Sequence, residues 1–154
     1  MELIAAVLLA GPLGYFSRKL TCMDGFEALA AANAEFVRRL RLVVAGDWSR
    51  ATACTEWDVR DLVNAVAAFV AGARTLLAEF RLPGALERQV HHPTGDRSGR
   101  ELLGMRILDV TVHAWDLACG IDADRRLDRT LVQRTLLEQT GRRCPMPAAR
   151  TTSA

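Results

Sequence analysis

The amino-acid sequence predicts an all-α protein in which four helices pack as a bundle. Apolar residues recur at helical spacing along four stretches of the chain, and capping motifs mark where some of these stretches begin. No stretch of useful length alternates between apolar and polar residues, as a half-buried strand would. Half of the 154 residues are hydrophobic and a quarter are charged, which is the balance of a globular domain with a real core.

The predicted helices cover residues 24–45, 55–81, 98–119 and 128–140. Asp24 and Glu27 have the three-residue spacing of a capping box, and so do Ser98 and Glu101. The second helix carries the most regular apolar stripe in the chain. Residues 85–97 contain glycine, proline and two adjacent histidines, so this segment is predicted to be a loop.

The bundle is predicted to occupy residues 23–141. Residues 1–22 contain an apolar run, residues 3–10, that is too short to span a bilayer as a helix. This segment is interpreted as an extension outside the domain that folding does not need, with a membrane-surface anchor as the alternative. Residues 142–154 hold two prolines and many small residues, and they are predicted to form a flexible tail.

Charge and cysteine spacing argue against two kinds of function. The formal net charge is only +2 and no recognition motif is present, so nucleic-acid binding is not expected. The four cysteines include no Cys-x-x-Cys pair, so a zinc site built from thiolates alone is not indicated. We interpret the cysteines as reduced thiols of a cytoplasmic protein. They are Cys22, Cys54, Cys119 and Cys144.

A file of polar residues runs along the third predicted helix, between two apolar stripes. Its members are Arg106, Asp109, His113 and Asp116, spaced by three, four and three residues. Asp109 and His113 are at positions i and i+4 of the helix, where two side chains can coordinate one divalent ion. The alternative is a structural network in which Asp109 accepts hydrogen bonds from Arg106 and His113 without any metal.

Two sequence blocks carry a family resemblance. The first is residues 54–64, CTEWDVRDLVN, and the second is residues 106–118, RILDVTVHAWDLA, preceded by a His-His-Pro sequence. Together, and in this order, they resemble the mycothiol-dependent maleylpyruvate isomerase-like metal-binding proteins of the DinB-like superfamily. The resemblance covers roughly residues 23–132.

The resemblance implies a DinB-like four-helix bundle, here shortened and with an extra N-terminal segment. It also implies a divalent metal ion, with zinc favoured, held by a histidine of the second helix together with Asp109 and His113. The second-helix position is Ala65, which cannot bind metal, so the triad is incomplete. His91 or His92 is the alternative third ligand. Without one, metal binding is expected to be weak or absent.

The function implied by the resemblance is that of a mycothiol-dependent isomerase or a thiol S-transferase. Its partners would be a small-molecule thiol, such as mycothiol, and an electrophilic substrate. No membrane partner is expected, and a homodimer stays open. The alternative is a non-catalytic, metal-free helical bundle derived from the same family.

Overall fold

The computed structural model describes residues 23–139, and this part of the chain is mostly helical, as predicted. The predicted N-terminal extension and the whole predicted tail lie outside the described residues. None of the described helices is both long and apolar enough to cross a membrane. In chain order the helices are α1 (Gly25–Leu40), α2 (Val59–Ala71), α3 (Ala73–Phe80), α4 (Gly99–Gly120) and α5 (Arg129–Gln139).

The predicted capping boxes begin their helices. The Asp24 carboxylate accepts hydrogen bonds from the backbone N–H groups of Phe26 and Glu27, both at 2.8 Å, ahead of α1. Ser98 and Glu101 form the same reciprocal pair ahead of α4. Each box satisfies N–H groups that have no partner inside the helix, so these two starts could be read from the sequence.

The first helix is shorter than the predicted 24–45, because the chain turns away after Leu40. A 3₁₀ turn, Ala45–Asp47, follows, and the Asp47 carboxylate accepts a hydrogen bond from the N–H of Val44 at 3.0 Å. Val44 is 64% exposed, so the apolar stripe of α1 does not continue into the core at this point.

The second predicted helix begins late and is interrupted. Its cap is Asp58, since the Asp58 carboxylate accepts the N–H of Asp61 at 2.9 Å. The helix is then divided at Gly72 into α2 and α3. Residues 51–58 form a closed turn, in which the N–H of Thr52 donates to the carbonyl oxygen of Trp57. This turn positions a cysteine of the candidate site.

The predicted loop 85–97 contains a short antiparallel hairpin of β1 (Gln89–Val90) and β2 (Arg97–Ser98). At its end α4 passes very close to the preceding turn. A Cβ atom built on Gly99 would lie 2.1 Å from the carbonyl oxygen of Ala85, so only glycine fits there.

Helix α4 is the centre of the bundle and packs along α1, with α2 and α5 beside it. One of its predicted apolar stripes is buried with residues of α1 and α2. The other apolar stripe is only half-buried. The half-buried residues are Leu108, Val112, Trp115 and Cys119.

A fully buried arginine joins α1 to the loop ahead of α5. The Arg39 side chain is 0% exposed and forms an ion pair with Glu35. Its guanidinium donates to the backbone carbonyl oxygens of Arg126 at 2.8 Å and Asp124 at 3.4 Å. A buried charge must be paired in this way, and the pairing fixes the loop on α1.

Candidate metal centre

Cys54 is held against α4 by the turn that precedes α2. The Thr52 hydroxyl accepts the N–H of Cys54 at 3.2 Å and lies 2.9 Å from the carbonyl oxygen of Trp57, to which it donates. This local turn fixes the backbone around the cysteine. The thiol is half-buried and faces two polar residues of α4, His113 and Asp116.

Three different ligand atoms come together at this point. The sulfur of Cys54 lies 3.3 Å from Oδ2 of Asp116 and 3.9 Å from Nδ1 of His113. Nδ1 of His113 lies 3.1 Å from the same Asp116 oxygen. His113 and Asp116 are one turn apart on α4, so the helix itself sets their spacing. All three atoms lie within 4.8 Å of one another.

The triangle formed by these atoms matches the size of a tetrahedral zinc site. Zinc bonds of about 2.0–2.3 Å place neighbouring ligand atoms about 3.3–3.7 Å apart. The separations of 3.1–3.9 Å among the three ligand atoms bracket that range. Thiolate, imidazole and carboxylate are all zinc ligands, so Cys54, His113 and Asp116 could hold one ion and leave a fourth position open.

The other nitrogen of His113 faces a second carboxylate. Nε2 lies 3.4 Å from Oδ1 of Asp109, and Oδ2 of Asp109 accepts a hydrogen bond from Arg106 at 2.9 Å. The Arg106 guanidinium lies 3.8 Å from the ring centroid of Phe69 on α2. Trp57 stacks on the imidazole with ring centroids 5.7 Å apart. The imidazole is therefore held on both edges and on one face.

The two carboxylates stabilise the charged form of His113. Hydrogen bonding to Asp109, and then to Asp116, raises the pKa of His113 to about 9, against the opposing effect of burial. The same contact lowers the pKa of Asp109. In the metal-free protein at neutral pH, an imidazolium therefore bridges two carboxylates.

Burial and Asp116 act together on Cys54. Burial first, and then the hydrogen bond to Asp116, raise the pKa of the Cys54 thiol to about 11. The thiol is therefore neutral near pH 7 and donates to the carboxylate. A bound cation would reverse this preference, because a coordinating thiol loses its proton.

Only one of the predicted metal ligands belongs to the group of Cys54, His113 and Asp116. His113 belongs to the three-residue group, whereas Asp109 lies on the opposite edge of its ring, and its role as a ligand stays a prediction. His91 and His92 are exposed on the hairpin, where they contact Asp96 and Thr94.

Sequence reasoning did not single out Cys54 or Asp116 as ligands. Asp116 was already a member of the polar file, and Cys54 opened the first sequence block. Neither position indicated that the two side chains meet, because 61 intervening residues separate them in the chain while their polar atoms lie 3.3 Å apart.

Comparison with known proteins shows a distant relationship to proteins whose names give no function. No protein-family model matches the chain. No solved structure matches it at a significant level. Two uncharacterised proteins, one from each of two strains of Mycobacterium tuberculosis, are 28% identical to it over 134 residues. Each match spans 71% of this chain and 74% of the relative. The chain is thus a distant homologue of uncharacterised mycobacterial proteins.

Proposed function

We propose that the protein binds one divalent metal ion, preferably zinc, through Cys54, His113 and Asp116, and that the bound ion serves thiol chemistry. The convergence of a sulfur, a nitrogen and an oxygen atom within 4.8 Å carries the metal part of this proposal. The resemblance to the DinB-like, mycothiol-dependent enzymes supports the thiol part.

The helix and the turn that carry the three ligands hold them in fixed positions, which favours a stable metal site. His113 and Asp116 project from the central helix, and the turn at Thr52 fixes the cysteine. The His113 side chain is 18% exposed, so the group lies close to the surface. A metal ion with an open position lowers the pKa of a bound thiol and favours its thiolate.

A cysteine nucleophile is a weaker interpretation of the same residues. Activation of a thiol by histidine needs surroundings that favour the thiolate. Here Asp116 and burial raise the pKa of Cys54 to about 11, which leaves about one thiolate in ten thousand molecules at pH 7. The metal-free cluster therefore disfavours covalent catalysis by Cys54.

A second candidate is a metal-free bundle in which the polar file is purely structural. Its support is that the file is internally paired, from Arg106 through Asp109 and His113 to Asp116. Such a network satisfies its own charges and needs no ion. The two candidates differ in one measurable property, stoichiometric metal binding.

Cobalt(II) titration of the untagged protein tests the proposed function. We expect one cobalt ion per chain and a thiolate-to-cobalt charge-transfer band in the near ultraviolet, because the Cys54 sulfur would be a ligand. Cys54→Ser should abolish the band. Cys119→Ser is the matched control, since it removes a different half-buried thiol, which lies on α4. Absence of the band from the parent protein, or its loss in the control alone, would refute the site.

Ala65→His is expected to create a second metal position. Trp57, just before α2, stacks on His113, and Phe69 of α2 packs under Arg106, so α2 runs antiparallel to α4. Ala65, between these two contacts, is expected to lie level with the middle of the polar file. A histidine there would complete the set that the resemblance implies, with two residues of α4.

We expect zinc affinity to rise by about 10-fold or more in this variant, measured by calorimetric titration, since even orienting contacts contribute about 10–100-fold. The gain should persist in the double variant that also carries Cys54→Ser. No gain in either protein would show that Ala65 does not face the polar file.

A further inference from the structure

We infer that Asp109 is a positioning residue that holds the His113 ring with Nδ1 directed at Cys54 and Asp116, and that Arg106 and Phe69 in turn fix Asp109. This inference rests on the proposed metal centre. It assigns to Asp109 a role different from that of the metal ligand implied by the resemblance.

The imidazole of His113 has two edges, one at each ring nitrogen. Each ring nitrogen faces a carboxylate, Asp116 at 3.1 Å from Nδ1 and Asp109 at 3.4 Å from Nε2. One histidine nitrogen that binds a metal ion leaves the other as an N–H donor, which usually donates to a carboxylate or carbonyl group. The two carboxylates of His113 must therefore have different roles.

The groups around each edge of the imidazole indicate which carboxylate binds the metal ion and which positions the ring. The Nδ1 edge gathers two further ligand atoms, the Cys54 sulfur and the Asp116 oxygen. No third metal-binding side chain accompanies Asp109 on the Nε2 edge among the described residues. Three ligands make a zinc site and two leave the ion mostly solvated, so the metal belongs on the Nδ1 edge.

Both carboxylate oxygens of Asp109 are engaged. Oδ2 accepts from Arg106 at 2.9 Å and Oδ1 faces the imidazole. The Arg106 guanidinium is in turn placed by the Phe69 ring, 3.8 Å from its centroid, in a cation–π contact between α4 and α2. Asp109 thus presents one oxygen of fixed direction to Nε2 and holds the tautomer and the orientation of the ring.

Asp109→Asn tests the assignment by cobalt titration with two readouts, affinity and spectrum. The amide keeps the size of the side chain but loses the charge that orients the imidazole N–H. We expect about 10–100-fold weaker binding, with the charge-transfer band unchanged in position and intensity at saturation. Asp109→Glu should recover part of the affinity. Asp96→Asn, on the exposed hairpin, is the matched control and should bind as the parent protein does.

Two outcomes would overturn the inference. Unchanged affinity in Asp109→Asn would show that Asp109 does not position His113. A changed ligand-field spectrum at saturation would show that Asp109 coordinates the ion directly. Both results differ from failure of the proposed function, in which the parent protein itself would show no thiolate band.

Discussion

Arg39→Ala is expected to lower the free energy of unfolding by about 3–5 kcal/mol, since a large, fully buried side chain is lost together with its ion pair and hydrogen bonds. The substitution leaves Glu35 without its buried cation and leaves the carbonyl oxygens of Asp124 and Arg126 without their donor. It also removes a fully buried side chain from the junction of α1 and the loop before α5.

The neighbouring arginine provides a matched control. Arg38 also pairs with Glu35, at 3.1 Å, but its side chain is 48% exposed, so Arg38→Ala should cost less than about 1 kcal/mol. Urea unfolding of the three proteins, followed by circular dichroism, gives the comparison. Equal losses for the two variants would mean that burial of Arg39 contributes nothing beyond an ordinary surface ion pair.

Arg39 also shows where prediction from the sequence reaches its limit. The helix that carries Arg39 could be predicted, because Asp24 and Glu27 cap it and its apolar residues share one face. The burial of Arg39 could not, because it depends on carbonyl groups of residues 124 and 126, 85 and 87 positions further along the chain. Local patterns do not carry such contacts, so a charged residue is predicted to lie on the surface.

The same limit applies to the candidate site. The spacing of Asp109, His113 and Asp116 placed them on one file of one helix, and the structure keeps them there. Spacing alone could not tell which imidazole nitrogen faces which carboxylate, because that depends on the rotamer of the side chain. It also could not place Cys54 beside them, since that contact depends on the turn before α2 and on the packing of α2 against α4.

The metal-free protein is expected to lose stability as the pH rises from about 6.5 to about 9. The pKa of His113 is about 9 in the folded protein, because Asp109 and Asp116 favour the imidazolium, and 6.5 is its ordinary value. Folding therefore raises this pKa. The stabilisation is fully present below pH 6.5 and is lost as the pH approaches 9. The loss should be about 1–3 kcal/mol.

His113→Gln isolates this contribution, because glutamine has a polar side chain that does not titrate. Unfolding by urea, with a chelator present, should show a drop between pH 6.5 and 9 in the parent protein that is absent from the variant. The window stops at pH 9 because the thiol of Cys54, with a pKa of about 11 when folded, affects the pH dependence of stability only above its ordinary value of 9. Any other titrating group contributes equally to both proteins and cancels in the difference. Parallel profiles would contradict the interpretation that His113 is charged between its two carboxylates, and the cluster would then have to hold a neutral imidazole.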